Sequence, residues 1–171
     1  MTMKDQSPAD SRFFRDVLGN CSTAVTIITA PSPDDGPHAG MTVGSFLSVS
    51  LDPPLVAFLP DKSSTTWPRI EQAGKFCANI LRQDQIDLCK RFTSRDIVDR
   101  FEGLDHRISE NGSPVLADCI AFVDCDIEDV HEAGDHHIVI GRVRELAAEE
   151  GENPLLFFKG RYHALQPIDG I

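Results

Sequence analysis

Apolar positions along this chain change period several times, and each change marks an element. Residues 1–10 are polar, contain Pro8 and predict a flexible N-terminus, after which Phe13, Phe14, Val17 and Leu18 recur at the spacing of one helix face. Gly19 behind them suits a left-handed exit. The β-branched run Thr23 to Ala30 (TAVTIITA) predicts a strand, and the turn chemistry of PSPDDGP makes it the first arm of a hairpin. Residues 39–51 are extended but rich in Gly, Ser, Thr and Val, a composition that lets another group approach the backbone closely. A rigid DPP corner then leads into a buried strand at residues 55–59 (LVAFL).

In DKSSTTWPRIEQAG, hydroxyl residues and a proline precede a short helical pattern that Gly74 closes, with Trp67 as the anchor at the helix start. Residues 76–81 read as a strand and Asp84 to Phe92 as a polar helix with a narrow apolar edge of Ile86, Cys89 and Phe92. A short turn fits Asp96 to Phe101, and Gly103 to Pro114 reads as loop. Beyond it, Cys119, Ala121, Val123, Cys125 and Ile127 alternate with Asp124, Asp126 and Glu128, the period-two signature of a half-exposed strand. Its partner begins at GDHHIVIGRV, and PLLFFKGRYHAL reads as a final strand with Phe157, Phe158 and Tyr162 in the core. About six strands joined by hairpin-like links, without long crossover helices, predict a mainly β fold with short α-helices, an antiparallel barrel rather than a parallel βαβ sheet.

Length and charge narrow the function. The 171 residues with 41% apolar content suit one domain, residues 11–171, with a core that needs no metal or disulfide staple. A formal charge of −11 opposes duplex nucleic acid and anionic lipid. Five cysteines form no CxxC pair and predict reduced, buried thiols, and no apolar run serves as a signal peptide or spans a bilayer, so a soluble cytoplasmic protein is expected.

The most informative chemistry lies in residues 40–66, where Gly40, Gly44, Ser45 and Ser48 precede a hydroxyl-rich loop with Lys62. Bare main chain beside hydroxyl donors suits a phosphorylated aromatic cofactor, although a glycine bulge and an ordinary helix cap have the same composition. His136 and His137 point to opposite faces of a strand, so no metal site is expected there. Lys90, Arg91 and Arg95 suit either a solvated helix face or the pyrophosphate of a nucleotide.

Six segments together carry a resemblance: FRDVLGNCSTAVTIIT, GMTVGSFLSVSLDPPLVAF, DKSSTTWPRIEQAGKFCANIL, RFTSRDIVDRFEGLDH, GDHHIVIGRV and PLLFFKGRY. In this order, over nearly all of residues 12–165, the chain resembles the short-chain flavin reductases, the split-barrel partners of two-component flavin-dependent monooxygenases. The resemblance implies a flavin-reductase-like antiparallel split β-barrel, a homodimer with cofactor sites near the subunit interface, and hydride transfer from NADH or NADPH to FMN or FAD, the reduced flavin going to a separate monooxygenase. By position it implies that Thr42, Val43, Gly44, Ser45, Phe46 and Ser48 cradle the isoalloxazine and that Asp61, Lys62, Ser63, Ser64 and Thr65 meet the ribityl and phosphate, with Phe58 and Leu59 walling the apolar side. Many relatives carry Asn or Ser where Gly44 stands. His136, in the GDH element, would lie nearest the nicotinamide as the catalytic residue, with Asp135 orienting it, and Arg161 would stand near the cofactor or dimer seam.

Hydride transfer needs position more than acid–base machinery, because the cofactors carry the hard chemistry. The alternative is a flavin-binding electron carrier or flavin store without efficient NAD(P)H turnover. A pyridoxamine-phosphate-oxidase-like enzyme on the related barrel is disfavoured by the GDH element and the DPP corner.

Overall fold

The computed structural model describes residues 7, 9–34 and 36–166. The expected flexibility of residues 1–10, apart from Ser7, Ala9 and Asp10, and the tail from Pro167 lie outside the described residues. Helix α1 (Ser11–Leu18) is capped by the Asp10 carboxylate, which accepts from the Arg12 and Phe13 amides. Its end corrects the expectation at Gly19, which is right-handed at φ −61°. Asn20 closes this helix instead, its side chain donating to the Asp16 and Val17 carbonyls at 2.9 and 3.0 Å.

The run Thr23 to Ala30 is two strands, not one. β1 (Thr23–Ala24) and β2 (Thr26–Ala30) belong to different sheets. Between them Val25 turns its amide to the Leu155 carbonyl and its own carbonyl to the Leu81 amide. β2 is buried throughout because both of its faces meet a core: Ile28 and Ala30 pack with Phe58, Ile70 and Phe76, and Ile27 packs with Leu81, Phe92 and Leu155. A strand covered on both sides loses the polar alternation of a half-exposed one.

Residues 39–51 also divide, into β3 (Ala39–Val43) and β4 (Leu47–Leu51), separated by Gly44, Ser45 and Phe46. β5 (Pro54–Phe58), α2 (Trp67–Ala73), β6 (Lys75–Ile80) and α3 (Ile86–Thr93) follow, and Gly74 closes α2 as expected, taking the left-handed conformation there. The segment read as loop holds β7 (His106–Ile108), which pairs with β8 (Pro114–Leu116). β9 (Ala121–Ala133) and β10 (His136–Ala148) make a long hairpin around Gly134 and Asp135. Gly134, at φ 63°, occupies the first central position of that turn, where glycine costs nothing. The last segment is a hairpin too, β11 (Leu155–Phe158) and β12 (Arg161–Ala164), because Lys159 and Gly160 both take positive φ, as a tight two-residue turn requires.

Antiparallel pairing orders the main sheet β3-β2-β6-β9-β10-β5-β4, and β1-β11-β12 and β7-β8 form two small sheets. The result is an open, split-barrel-like arrangement, mainly β with short helices, as the sequence predicts, though with twelve strands among the described residues rather than six. The alternation in β9 is right for Asp126 and Glu128, which pair with Arg144 and Arg142. It misplaces Asp124, whose face is covered by the turn between β7 and β8 and which is fully buried.

Candidate active site

The site is assembled by the turn that follows β5. Asp61 bridges to His136 at the tip of the β9–β10 hairpin through the two backbone bonds that flank the pair: Lys62 N–H to the Asp135 carbonyl and His137 N–H to the Pro60 carbonyl, both at 2.9 Å. Within the turn the Asp61 carboxylate accepts from the Ser63 amide at 2.6 Å, and the Ser64 hydroxyl accepts from the Thr66 and Trp67 amides that open α2. Hydrogen bonds from Ser63 hold the Asp61 carboxyl below its usual range, and the nearby His136 and Arg95 reinforce this. Asp61 is therefore an anion at neutral pH.

Two clefts open beside this turn and border each other at β3. The first, of about 770 Å³, runs between Thr42, Val43, Gly44 and Ser45 on one side and Leu59, Asp61 and His136 on the other, with Thr23, Phe157 and Lys159 as its far lip. The second, of about 640 Å³, lies over Ser63, Ser64, Thr65 and Thr66 and is bounded by Arg95 and Arg100. They share Met41, Thr42 and Asp61. A small annex of about 190 Å³ opens from Thr42, Val43 and Gly44 toward Cys89, Thr93 and Tyr162. Within the annex lining, the Tyr162 hydroxyl and the Cys89 thiol stand 3.3 Å apart, and this bond with burial pushes the phenol up to about 12.

Several residues named from the sequence meet here: Thr42, Val43, Gly44, Ser45, Asp61 and His136 in the first cleft, and Ser63, Ser64 and Thr65 in the second. Ser45 also fixes the wall, its hydroxyl accepting from the Leu59 amide at 2.9 Å. Others stand apart. The Lys62 ammonium pairs with Glu132 at 3.3 Å, Phe46 packs against the core, and Ser48 sits opposite Val56 on edge strand β4. Phe58 is fully buried against Trp67 and Phe76, so of the expected apolar wall only Leu59 reaches the cleft. The basic trio divides as well: Lys90 pairs with Asp87, Arg91 donates to the Arg100 and Glu102 carbonyls, and Arg95 alone faces the cleft.

His136 and His137 take opposite sides of β10, as their spacing demands. His137 lies against the Trp67 ring, whereas His136 lines the cleft with its Nδ1 at 2.8 Å from Asp135 Oδ1. Asp135 is held below the usual carboxylate range by this bond and by the charge of His136. An ionised carboxylate only accepts, so Nδ1 carries the proton and Nε2 is the ring nitrogen left for a ligand.

Sequence reasoning missed Arg100, Thr23, Phe157, Lys159 and Cys21. Arg100 donates to the Gly40 carbonyl, the Thr66 hydroxyl and the Ser94 carbonyl. Phe157 is 41% exposed on the cleft lip rather than in the core, and Cys21 is an exposed thiol beside it, unlike the other four, which are buried. Only Arg100 had a signal, the motif RFTSRDIVDRFEG in which it stands.

The trough has what a phosphorylated, flat heteroaromatic group requires. The Thr42 hydroxyl is buried there without a partner, Gly44 leaves the backbone bare, and the hydroxyl turn with Arg95 and Arg100 offers donors and positive charge at one end. Comparison with known proteins agrees. Residues 18–166 match the family model described as flavin reductase like domain. A flavin reductase of Pseudomonas putida is 56% identical over 163 residues, 95% of each chain. The reductase subunit HsaB of a flavin-dependent monooxygenase from Rhodococcus jostii is 47% identical, covering 92% of this chain and 80% of its own. Among solved structures, the NADH:FAD oxidoreductase SgcE6 of Streptomyces globisporus, in complex with NAD and FAD fragments, superposes with a TM-score of 0.90 at 30% identity, covering 98% of this chain and 100% of that one.

Proposed function

The chain belongs to the flavin reductase-like family, and from that premise we propose that the trough along β3 is its flavin site and that His136 serves its nicotinamide substrate. The activity is that of an NAD(P)H-dependent flavin reductase, supplying reduced flavin to a flavin-dependent monooxygenase. The observation that carries the assignment of the site is that the two clefts share Met41, Thr42 and Asp61, so that Gly44 and the unpartnered Thr42 hydroxyl adjoin the Ser63–Thr66 turn with its two arginines.

In this reading Thr42, Val43, Gly44 and Ser45 hold the isoalloxazine of FMN or FAD through main chain and hydroxyls. Ser63 and Thr65, with Arg95 and Arg100, hold the phosphate. Bound flavin supplies the acceptor for the hydride of NADH or NADPH. The protein contributes position: Asp135 fixes the His136 ring, Asp61 ties the hairpin tip to the phosphate turn, and Leu59 and Phe157 keep the cleft walls apolar.

A symmetric homodimer in the cytoplasm completes the reading. Its support is that α1 buries none of its residues in its own chain although Phe14, Val17 and Leu18 form an apolar face. Among the described residues no helix is long and apolar enough to cross a membrane. The assay is steady-state oxidation of NADH with free FMN or FAD added in catalytic amount. Many turnovers per enzyme are expected; a single turnover per bound flavin is the behaviour of a flavin carrier and would overturn the reading.

A further inference from the structure

Where Gly44 lacks a side chain, another residue fills the space. A Cβ built on Gly44 would stand 2.8 Å from the Thr23 hydroxyl oxygen and 3.5 Å from the Thr23 Cβ. The first distance is a clash between non-bonded atoms, and the second is ordinary van der Waals contact. Of the atoms around that Cβ only the Thr23 hydroxyl stands too close, so a side chain on residue 44 requires this oxygen to move or to be absent.

Thr23 comes from outside the main sheet. It begins β1, sits opposite Phe157 of β11, and lines the first cleft together with Phe157 and Lys159. Its hydroxyl thus reaches across from the small sheet to the bare backbone of Gly44, beside the unpartnered hydroxyl of Thr42 on β3. A hydroxyl both donates and accepts, so two of them flanking an uncovered stretch of main chain suit the polar edge of a heteroaromatic ring with alternating acceptors and donors. Residues 23 and 44 lie just past the last pair of the β2–β3 hairpin, Thr26 opposite Val43, where the chain leaves the main sheet to pair with β11.

We propose that Thr23 is a flavin-binding residue whose hydroxyl takes the place a side chain on residue 44 would occupy, so that positions 23 and 44 form one exchangeable unit in which either, but not both, carries the polar group. This rests on the flavin reading of the trough. It makes the small β1–β11–β12 sheet part of the binding site rather than a cover, and it makes the close approach of Thr23 and Gly44 the gauge of the cleft's width.

Titration of flavin-free protein with FMN, followed by flavin fluorescence, tests it, with the melting temperature of each flavin-free variant as a check on folding. Thr23→Val, which keeps the shape and removes the hydroxyl, is expected to weaken FMN binding about fivefold to tenfold, the scale of one hydrogen bond, while Thr23→Ser binds as the parent does. Gly44→Ser alone is expected to weaken binding by about tenfold or more, because the new side chain meets Thr23. Combined with Thr23→Ala it is expected to return binding to within roughly threefold of the parent, a strongly non-additive cycle. Parent-like binding in Thr23→Val, or penalties at 23 and 44 that simply add, would overturn the inference while leaving the flavin site intact. Failure of the unaltered protein to bind FMN would overturn the site reading, and this inference with it.

Discussion

His136 Nδ1 lies 2.8 Å from the carboxylate of its own neighbour Asp135, while the backbone of His136 bridges to Asp61 on the turn that follows β5. The hairpin tip thus fixes both where the imidazole sits and which nitrogen it presents. Replacing His136 by Ala is expected to slow flavin reduction, or raise the Michaelis constant for NADH, by about 10- to 100-fold, the scale of one lost positioning contact. Flavin affinity and melting temperature should stay level. Stopped-flow reduction of bound flavin isolates the step, and a normal rate with a normal NADH dependence would return His136 to a structural role. Asp135→Asn keeps an acceptor but not its charge, so its loss should be smaller than that of His136→Ala.

Arg95 and Arg100 bound the same cleft and should behave differently. Arg95 is exposed at the lip, so Arg95→Ala should weaken FMN binding by about 1–3 kcal/mol without lowering the melting temperature. Arg100 also holds Gly40, Thr66 and Ser94 together, and its alanine variant should lose stability as well. Riboflavin, which lacks the phosphate, separates the two roles: its affinity should not change in Arg95→Ala. Equal losses for FMN and riboflavin would move the phosphate away from this turn.

What the sequence made legible was local. The helix end at Gly74, the strand that starts at the GDH element and the opposite faces of His136 and His137 follow from a few neighbouring residues. What it hid depends on distant segments. Thr23 to Ala30 looks continuous because every residue in it tolerates extended backbone; the division at Val25 exists only because Leu81 and Leu155 compete for its amide and carbonyl. Asp124 looks like an outward position because nothing within β9 announces that the β7–β8 turn covers it. Lys62 shows the reverse failure: a cation expected at the phosphate is drawn to Glu132 across the hairpin.

The apolar face of α1 gives a test of assembly. Phe14, Val17 and Leu18, spaced on one helix face, are 54%, 48% and 50% exposed, a contiguous apolar patch of the kind that marks an interaction surface. Phe14→Glu combined with Val17→Glu should convert a dimer to a monomer in sedimentation equilibrium. A monomer mass for the unaltered chain at high micromolar concentration would refute the homodimer outright.

The buried carboxyl of Asp124 predicts how stability depends on pH. Burial raises its pKa above the ordinary carboxylate value, and the hydroxyls of Ser109 and Ser113 pull it back only in part. Neither oxygen has a hydrogen-bond partner of good geometry, and Cys77 lies directly opposite on β6. A group whose pKa is raised by folding favours the folded state while it is protonated, and that contribution is lost as pH climbs from the ordinary carboxylate range through the raised value. Above that window the fold carries a buried charge it would be better without. Asp124→Asn mimics the protonated acid in shape and keeps one acceptor for the serine hydroxyls, so it should raise the melting temperature of the flavin-free protein at pH 8. Each kcal/mol recovered is worth about 2–4 °C in a chain of this size. The gain should shrink at pH 5, where the native carboxyl is closer to neutral. Thermal unfolding followed by circular dichroism across this range decides the matter: a gain for Asp124→Asn that is flat with pH would mean that packing, not the charge, governs this position.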